Sequence, residues 1–168
     1  NKSIDLEESG AYSIYNWELF FHVPLAVAVQ LSKNQRFAEA QKWFHFIFDP
    51  TTDEVELPNN PVGRYWKFRK MRDTTDPLLI TDLLESLAAN VGDEDVDPAI
   101  ESLRNSIAEW RKTPFSPHSV AKFRPLAYQY NVVMKYLDNL FDWGDSLFRQ
   151  FTIETLNEAT QIYVIAAN

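Results

Sequence analysis

The chain contains no cysteine and only four glycines among its 168 residues. The lack of cysteine excludes disulfide bonds, thiolate metal sites and cysteine nucleophiles. The scarcity of glycine argues against a β-fold rich in turns, because tight turns often need glycine. No apolar run reaches the roughly 18 residues that a membrane-spanning helix needs. Phosphate-binding glycine loops, the His-Glu helix motif of zinc enzymes and nucleophile elbows are also missing.

Acidic residues outnumber basic residues by 24 to 16, which gives a formal net charge of −8. This sign disfavours nucleic acid or an anionic membrane as the main partner. Hydrophobic residues make up 45% of the chain, and a chain of this length buries enough surface to hold a core. We expect a polar lead-in over residues 1–14 and a single α-helical domain over residues 15–168. Both ends indicate a piece of a larger protein.

Residues 15–50 predict a helical hairpin, since two apolar arms flank the polar residues 32–35. The first helix is expected over 17–32, capped by Asn16 and disturbed near Phe20 by Pro24. Asn34 is expected to supply the left-handed residue of the turn. The second helix is expected over 36–48, and one apolar stripe follows its length, formed by Phe37, Ala40, Phe44 and Ile47 or Phe48.

Residues 50–75 predict irregular and partly extended structure. Their basic and aromatic run at 64–72 fits a segment whose cations lie over an acidic body better than a nucleic-acid site. Three later helices are each expected to begin with a capping side chain followed by proline, at Asp76, Asp97 and Ser116.

The C-terminal third predicts one long helix, because apolar residues and Gly144 recur there at alternating spacings of four and three. The row consists of Leu126, Tyr130, Val133, Leu137, Leu140, Gly144, Leu147 and Phe151. Gly144 is expected to let a neighbouring backbone approach closely. A last helix should follow from residue 152, with Ile153, Leu156, Ala159 and Tyr163 on one face. The predicted fold is an all-α helical bundle in which the N-terminal hairpin packs on a long C-terminal helix.

Glu18, His22, His45 and Asp49 form the sharpest arrangement of polar residues. In a symmetric hairpin, two histidines and two carboxylates converge, and such a set suits Zn or Fe in a metal-dependent enzyme. The competing interpretation makes these residues partly buried, with histidine–carboxylate contacts that fix the hairpin register. We adopt the second interpretation and predict no catalytic residue, metal or cofactor. Histidines beside carboxylates are also candidate pH sensors.

The hairpin has a second alternative function. A helix, a short turn and the sequence FAEA at 37–40 are similar to one tetratricopeptide unit, which is typical of protein-interaction modules.

Two groups of residues carry a resemblance to a known family. The first comprises YNWELFFH at 15–22, NQRF at 34–37, EAQKWFH at 39–45 and FDP at 48–50. The second comprises VMKYLDNL at 133–140, WGD at 143–145, LFRQ at 147–150 and NEAT at 157–160. Both groups resemble the A component of bacterial Tc (toxin complex) insecticidal toxins. The resemblance covers most of the chain from residue 15 onward and is less distinct over 57–110.

The resemblance implies a structural role without catalysis. Tc toxin A components are large secreted proteins that form pentamers and insert a pore through which a toxic enzyme is delivered. The matching region belongs to the α-helical shell around the channel, before the pore-forming segment. Expected partners are therefore other regions and protomers of the same toxin. The residues expected to act as structural anchors are Trp17, His22, Phe44, His45, Arg124, Trp143 and Gly144.

Overall fold

The computed structural model describes residues 12–56, 60–73, 104, 105, 107, 108, 110–112, 115 and 125–167. The chain divides into two compact units, one formed by Asn1–Asp73 with Tyr130–Asn168 and the other by Thr74–Gln129. In the second unit, residues 104, 105, 107, 108 and 110–112 are helical. The three predicted helix starts at Asp76, Asp97 and Ser116 lie outside the described residues.

The fold is all-α, as predicted, and no strand occurs in the described ranges. In chain order the elements are α1 (Ser13–Trp17), a π-helical turn (Glu18–His22), α2 (Val23–Lys33), α3 (Phe37–Phe44), a 3₁₀ turn (Pro61–Tyr65), α4 (Arg69–Arg72), α5 (Pro125–Phe148) and α6 (Ile153–Ala167). Among the helices described, none is both long and apolar enough to cross a membrane.

The first helical arm begins earlier than the sequence predicts. Asn16 is not its cap, because helix α1 starts at Ser13 and the Asn16 amide already donates to the Tyr12 carbonyl at 3.0 Å. The predicted disturbance near Phe20 takes the form of a π turn. Pro24 has no amide hydrogen to donate to the Phe20 carbonyl, and its ring would collide with that carbonyl in a regular α-helix. The Val23 amide instead donates to Glu18, five residues back.

The hairpin turn places its left-handed residue at Gln35, whose φ is 59°, and not at Asn34. The Arg36 amide donates to the Leu31 carbonyl and the Gln35 amide donates to the Ser32 carbonyl. This pair of bonds is the Schellman arrangement, in which the residue after the cap takes the left-handed conformation. Asn34 occupies the cap and so ends the helix, as expected of asparagine, but the left-handed residue is the next one, Gln35.

Helix α3 ends at Phe44, four residues before the predicted end. Beyond it the chain pairs with residues 65–67, since the Asp49 amide donates to the Tyr65 carbonyl and the Lys67 amide to the Ile47 carbonyl. An isolated antiparallel bridge joins Phe48 and Trp66. These bonds replace the helical ones and confirm that part of the region after residue 50 is extended.

The core of the first unit lies between the hairpin and the two C-terminal helices. Its buried members are Ala28, Ala40, Phe44, Tyr136, Leu140, Leu147, Ala159 and Ile162. The predicted stripe on α3 is confirmed, with Phe37, Ala40, Phe44 and Ile47 all buried. The hairpin therefore packs on the long helix as the sequence predicts.

Helix α5 runs without a break through Gly144 for 24 residues, as predicted, which corresponds to about 36 Å. The predicted row of core-facing residues is correct from Leu140 to Leu147, where all three members are buried. It is wrong before Leu140 and after Leu147. Val132 and Tyr136 are buried, whereas Tyr130 is exposed. A helix with 3.6 residues per turn drifts away from a seven-residue repeat, so the core-facing row moves by one position. Phe151 lies beyond the end of the helix and is exposed.

Gly144 accommodates an aromatic ring of α6. A Cβ at this position would lie 2.6 Å from Cε1 of Tyr163, so the close neighbour is a side chain and not the predicted backbone. The Tyr163 hydroxyl donates to Asp145 Oδ1 at 2.6 Å. The predicted face of α6 is partly correct, because Ala159 is buried but Ile153 is exposed.

We predict that Gln35→Gly stabilises the protein by about 0.5–1 kcal/mol, because glycine adopts a left-handed backbone without the cost that glutamine carries. Urea unfolding measures the change. Lys33→Gly, two residues earlier in the last turn of α2, serves as the control and should destabilise. Equal effects of the two substitutions would contradict the assignment of Gln35 as the left-handed residue of the turn.

We predict that Gly144→Ala and Tyr163→Ala are strongly coupled. In the Tyr163→Ala background, alanine at 144 should stabilise by about 1 kcal/mol through its higher helix propensity. In the wild-type background the contact with the Tyr163 ring should remove that gain or reverse it. A double-mutant cycle measured by thermal unfolding would contradict the contact if the two effects simply add.

Candidate functional site

The four residues of the predicted metal set separate into two pairs. Glu18 and His22 lie on the π turn, where the His22 ring contacts Trp17 and Phe21 with centroid distances of 6.2 and 5.2 Å. His45 and Asp49 lie just after α3, with Nδ1 and Oδ1 3.9 Å apart. Across the described ranges, no three His, Asp or Glu side chains come together as a metal site would require. The described residues thus do not form the ligand set of the metal-enzyme hypothesis.

His45 is joined to the long helix through a buried tyrosine. Its Nε2 lies 3.2 Å from the Tyr136 hydroxyl, which also accepts a hydrogen bond from Gln41 Nε2 at 3.0 Å. Because Gln41 donates to this oxygen, the tyrosine proton is available for Nε2. When the hydroxyl donates that proton to Nε2, the His45 ring is neutral and carries its own proton on Nδ1, toward Asp49. The chain of bonds from Gln41 through Tyr136 to His45 connects α3 with α5.

The electrostatics favour this neutral form. Burial lowers the pKa of His45, and the Lys67 charge adds to that effect, while Asp49 opposes it. Burial alone would raise the pKa of Asp49, but two hydrogen bonds from Thr51 and the charges of His45 and Lys67 bring it below its usual value. Burial raises the pKa of Tyr136. Near neutral pH the site therefore holds a neutral imidazole, a protonated phenol and an ionised carboxylate.

The basic run at 64–72 is paired with carboxylates, in line with its predicted position over an acidic body. Lys67 Nζ lies 2.6 Å from Glu54 Oε1, and Arg72 binds the other oxygen of Glu54 at 2.8 Å. Arg64 Nη1 lies 2.9 Å from Glu56 Oε1. These pairs join the chain after the hairpin to the segment that pairs with residues 47–49.

Three of the residues expected to act as anchors, Trp17, Phe44 and Trp143, make packing contacts in the first unit. Trp17 is buried, and its ring packs on Phe21 and on Phe68, the latter at a centroid distance of 4.8 Å. Phe44 is fully buried, and Trp143 packs against the core that contains it. Burial lowers the pKa of His22, with Glu18 acting against it. Arg124 lies outside the described residues.

The sequence patterns did not reveal the roles of Tyr136, Gln41 and Asn139. Tyr136 and Asn139 fell off the predicted seven-residue row, and a row drawn at 3.6 residues per turn through Leu140 would have found Tyr136. Asn139 is fully buried, and its Nδ2 donates to the Phe37 carbonyl at 3.5 Å. Its Oδ1 has no hydrogen-bond partner in the described structure. No sequence pattern marks Gln41, because its hydrogen bond goes to a residue 95 positions away.

Two known proteins are similar to this chain over most of its length. The chain is 28% identical over 149 residues to toxin subunit YenA2 of Yersinia entomophaga, covering 88% of this chain and 8% of that protein. Its structure matches the cryo-EM structure of Morganella morganii TcdA4 with a TM-score of 0.59 and 29% identity, covering 97% of this chain and 5% of that chain. The chain resembles Tc toxin subunits. No family model matches it.

The resemblance to Tc toxin components noted in the sequence is thereby confirmed at modest identity. The chain spans less than a tenth of the length of either Tc toxin relative. The matched region is therefore a small part of each relative.

We predict that His45 makes the stability of the protein fall in mild acid. Its pKa is lowered in the folded state from an ordinary value of 6.5. The stability it contributes is therefore present above pH 6.5 and is lost as pH falls through the folded-state pKa. Urea unfolding between pH 5 and pH 8 should show a decline below about pH 6.5 that is shallower in His45→Gln.

His22→Gln is the matched comparison, because burial lowers the pKa of His22 in the same direction. Each substitution should remove part of the decline, and the double variant should remove more than either alone. A His45→Gln profile parallel to the wild type would contradict the neutral, tyrosine-bonded His45.

Proposed function

We propose that the chain is a structural, non-catalytic region of a Tc toxin A component, within the α-helical shell of a secreted, pore-forming assembly that translocates a toxic enzyme. The supporting observation is the contact between the two groups of family-like residues. Phe44 of the first group packs edge-on against Tyr136 of the second, with ring centroids 5.7 Å apart and an interplanar angle of 87°. Leu140 of the second group lies in the same buried cluster.

The distribution of polar groups supports an architectural role. Tyr136 and His45 use their hydrogen-bonding groups on each other and on Gln41. Tyr136 is only 3% exposed, so its hydroxyl belongs to an interior contact between helices. These groups fix how α3 sits on α5. The relatives are toxin subunits, which also favours a role without catalysis.

The partners in this proposal are other regions of the same polypeptide and neighbouring protomers of a pentamer. Support comes from length, since the chain corresponds to 8% of YenA2 and 5% of TcdA4. The tetratricopeptide-like alternative instead predicts further copies of the hairpin elsewhere in the full-length sequence.

Phe44→Ala tests the proposal in the complete toxin subunit. Removing a fully buried phenylalanine typically costs about 3–5 kcal/mol, so this region should unfold more easily and pentamers seen by electron microscopy should be lost. Phe115→Ala is the control, because Phe115 is 97% exposed. Pentamers and toxin delivery at wild-type levels in a Phe44→Ala subunit whose region is measurably destabilised would refute the structural role.

A further inference from the structure

A groove of about 440 Å³ opens on the first unit between the π turn, the end of α3 and the segment after Trp66. Its walls include Leu19, Phe20, Trp43, Phe46, Lys67 and Arg69. The volume falls in the range of sites that take up a small ligand or a few side chains of a peptide.

Large apolar side chains of the groove face solvent. Leu19 is 60% exposed and Phe46 is 62% exposed. The Trp43 and Phe46 rings meet edge-on at a centroid distance of 5.5 Å, which gives the groove one rigid aromatic wall. Leu19 and Phe20 come from the π turn, and such turns are frequent at functional sites. Aromatic side chains in a pocket are typical anchors for a binding partner.

Two basic side chains, Lys67 and Arg69, line the groove of this acidic protein. Residues 60–73 contain five basic residues and one acidic residue, although the chain as a whole has a net charge of −8. Lys67 is already paired with Glu54. Arg69 is different, because its Nε binds Asp73 at 3.2 Å while its side chain stays 60% exposed. Its two terminal nitrogens have no partner among the described residues and are free to bind a carboxylate.

We propose that this groove binds an apolar, acidic peptide segment from another region of the same toxin polypeptide. An aliphatic or aromatic side chain of that segment enters between Phe20, Trp43 and Phe46, and a neighbouring Asp or Glu binds the terminal nitrogens of Arg69. The inference rests on the proposed function, which makes the chain a small part of a long subunit.

The size of the groove favours an occupant from the same polypeptide over a second copy. A stable dimer usually buries about 800 Å² on each partner, which is far more than a few side chains in one pocket provide. A segment tethered to the same chain has a high effective concentration and needs no such area. The relatives extend well beyond this region, which covers 8% of YenA2, so the rest of the polypeptide can supply the segment.

Photocrosslinking in the complete toxin subunit identifies the occupant. Benzoylphenylalanine replaces Phe46, the assembled subunit is irradiated, and the crosslinked peptides are sequenced by mass spectrometry. We expect a crosslink to one segment of the same polypeptide that carries Asp or Glu beside apolar residues. The same amino acid at Val55, which is 86% exposed and does not line the groove, should not reach that segment.

Charge reversal then tests Arg69. In the crosslinking background, Arg69→Glu should reduce the yield about tenfold, since it replaces a charge-assisted bond with repulsion. Arg36→Glu is the control, because Arg36 is an exposed arginine paired with Glu39 and lies outside the groove. It should leave the yield unchanged. Circular dichroism of both variants establishes that the helices are retained.

The inference would be overturned by a crosslink confined to a second copy or another protein, by a crosslinked segment without Asp or Glu, or by a yield insensitive to Arg69→Glu. The absence of a crosslink above the Val55 level would also overturn it. Failure of the proposed function is a separate result. In that case the chain would be found in a polypeptide that forms no toxin assembly, whereas an assembled subunit without the crosslink rejects the groove alone.

Discussion

The contact between Phe44 and the long helix is the interaction on which the first unit depends. Phe44 is fully buried and meets Tyr136 edge-on, and it belongs to the same buried cluster as Leu140 and Leu147. Residues 44 and 136 are far apart in sequence, so their contact joins the hairpin to the C-terminal helices. Burial of such aromatic side chains gives a large hydrophobic gain, and the edge-on geometry adds to it. The packing of the hairpin on α5 and the position of His45 beside Tyr136 follow from this contact.

Polar groups inside this apolar contact favour one position of α3 on α5. Burying the Tyr136 hydroxyl or the Asn139 amide without a hydrogen-bond partner would destabilise the folded protein. With α3 in its observed position on α5, Gln41 and His45 lie within hydrogen-bond distance of the Tyr136 hydroxyl. The Phe37 carbonyl accepts a hydrogen bond from Asn139 Nδ2 in the same arrangement. A shift of one helical turn would keep much of the apolar burial but break these bonds. We infer that the polar groups choose one register among several that are similarly apolar.

Periodicity predicted the hairpin, the buried stripe of α3 and the unbroken passage of α5 through Gly144, because each reflects a local repeat of apolar residues. It failed where a distant contact decides the outcome. Helix α3 stops at Phe44 because residues 47–49 pair with residues 65–67, and no pattern near Phe44 reveals that pairing. The geometry of the helix, not the heptad rule, places Tyr136 in the core. Convergence of Glu18, His22, His45 and Asp49 required a symmetric hairpin, whereas the π turn and the early end of α3 make the two arms different.

The π turn at Glu18–His22 also links two features of the sequence, the extra residue in this helical arm and Pro24. A π turn amounts to one extra residue inserted into an α-helix, and Pro24 fits there because the Glu18 carbonyl accepts the Val23 amide five residues on. Deleting one residue from the turn would restore α-helical spacing and push the proline ring into the carbonyl four residues back. A chain that is shorter by one residue here would therefore have to exchange its proline as well. We therefore expect the extra residue and the proline to occur together in sequences that share this helical arm.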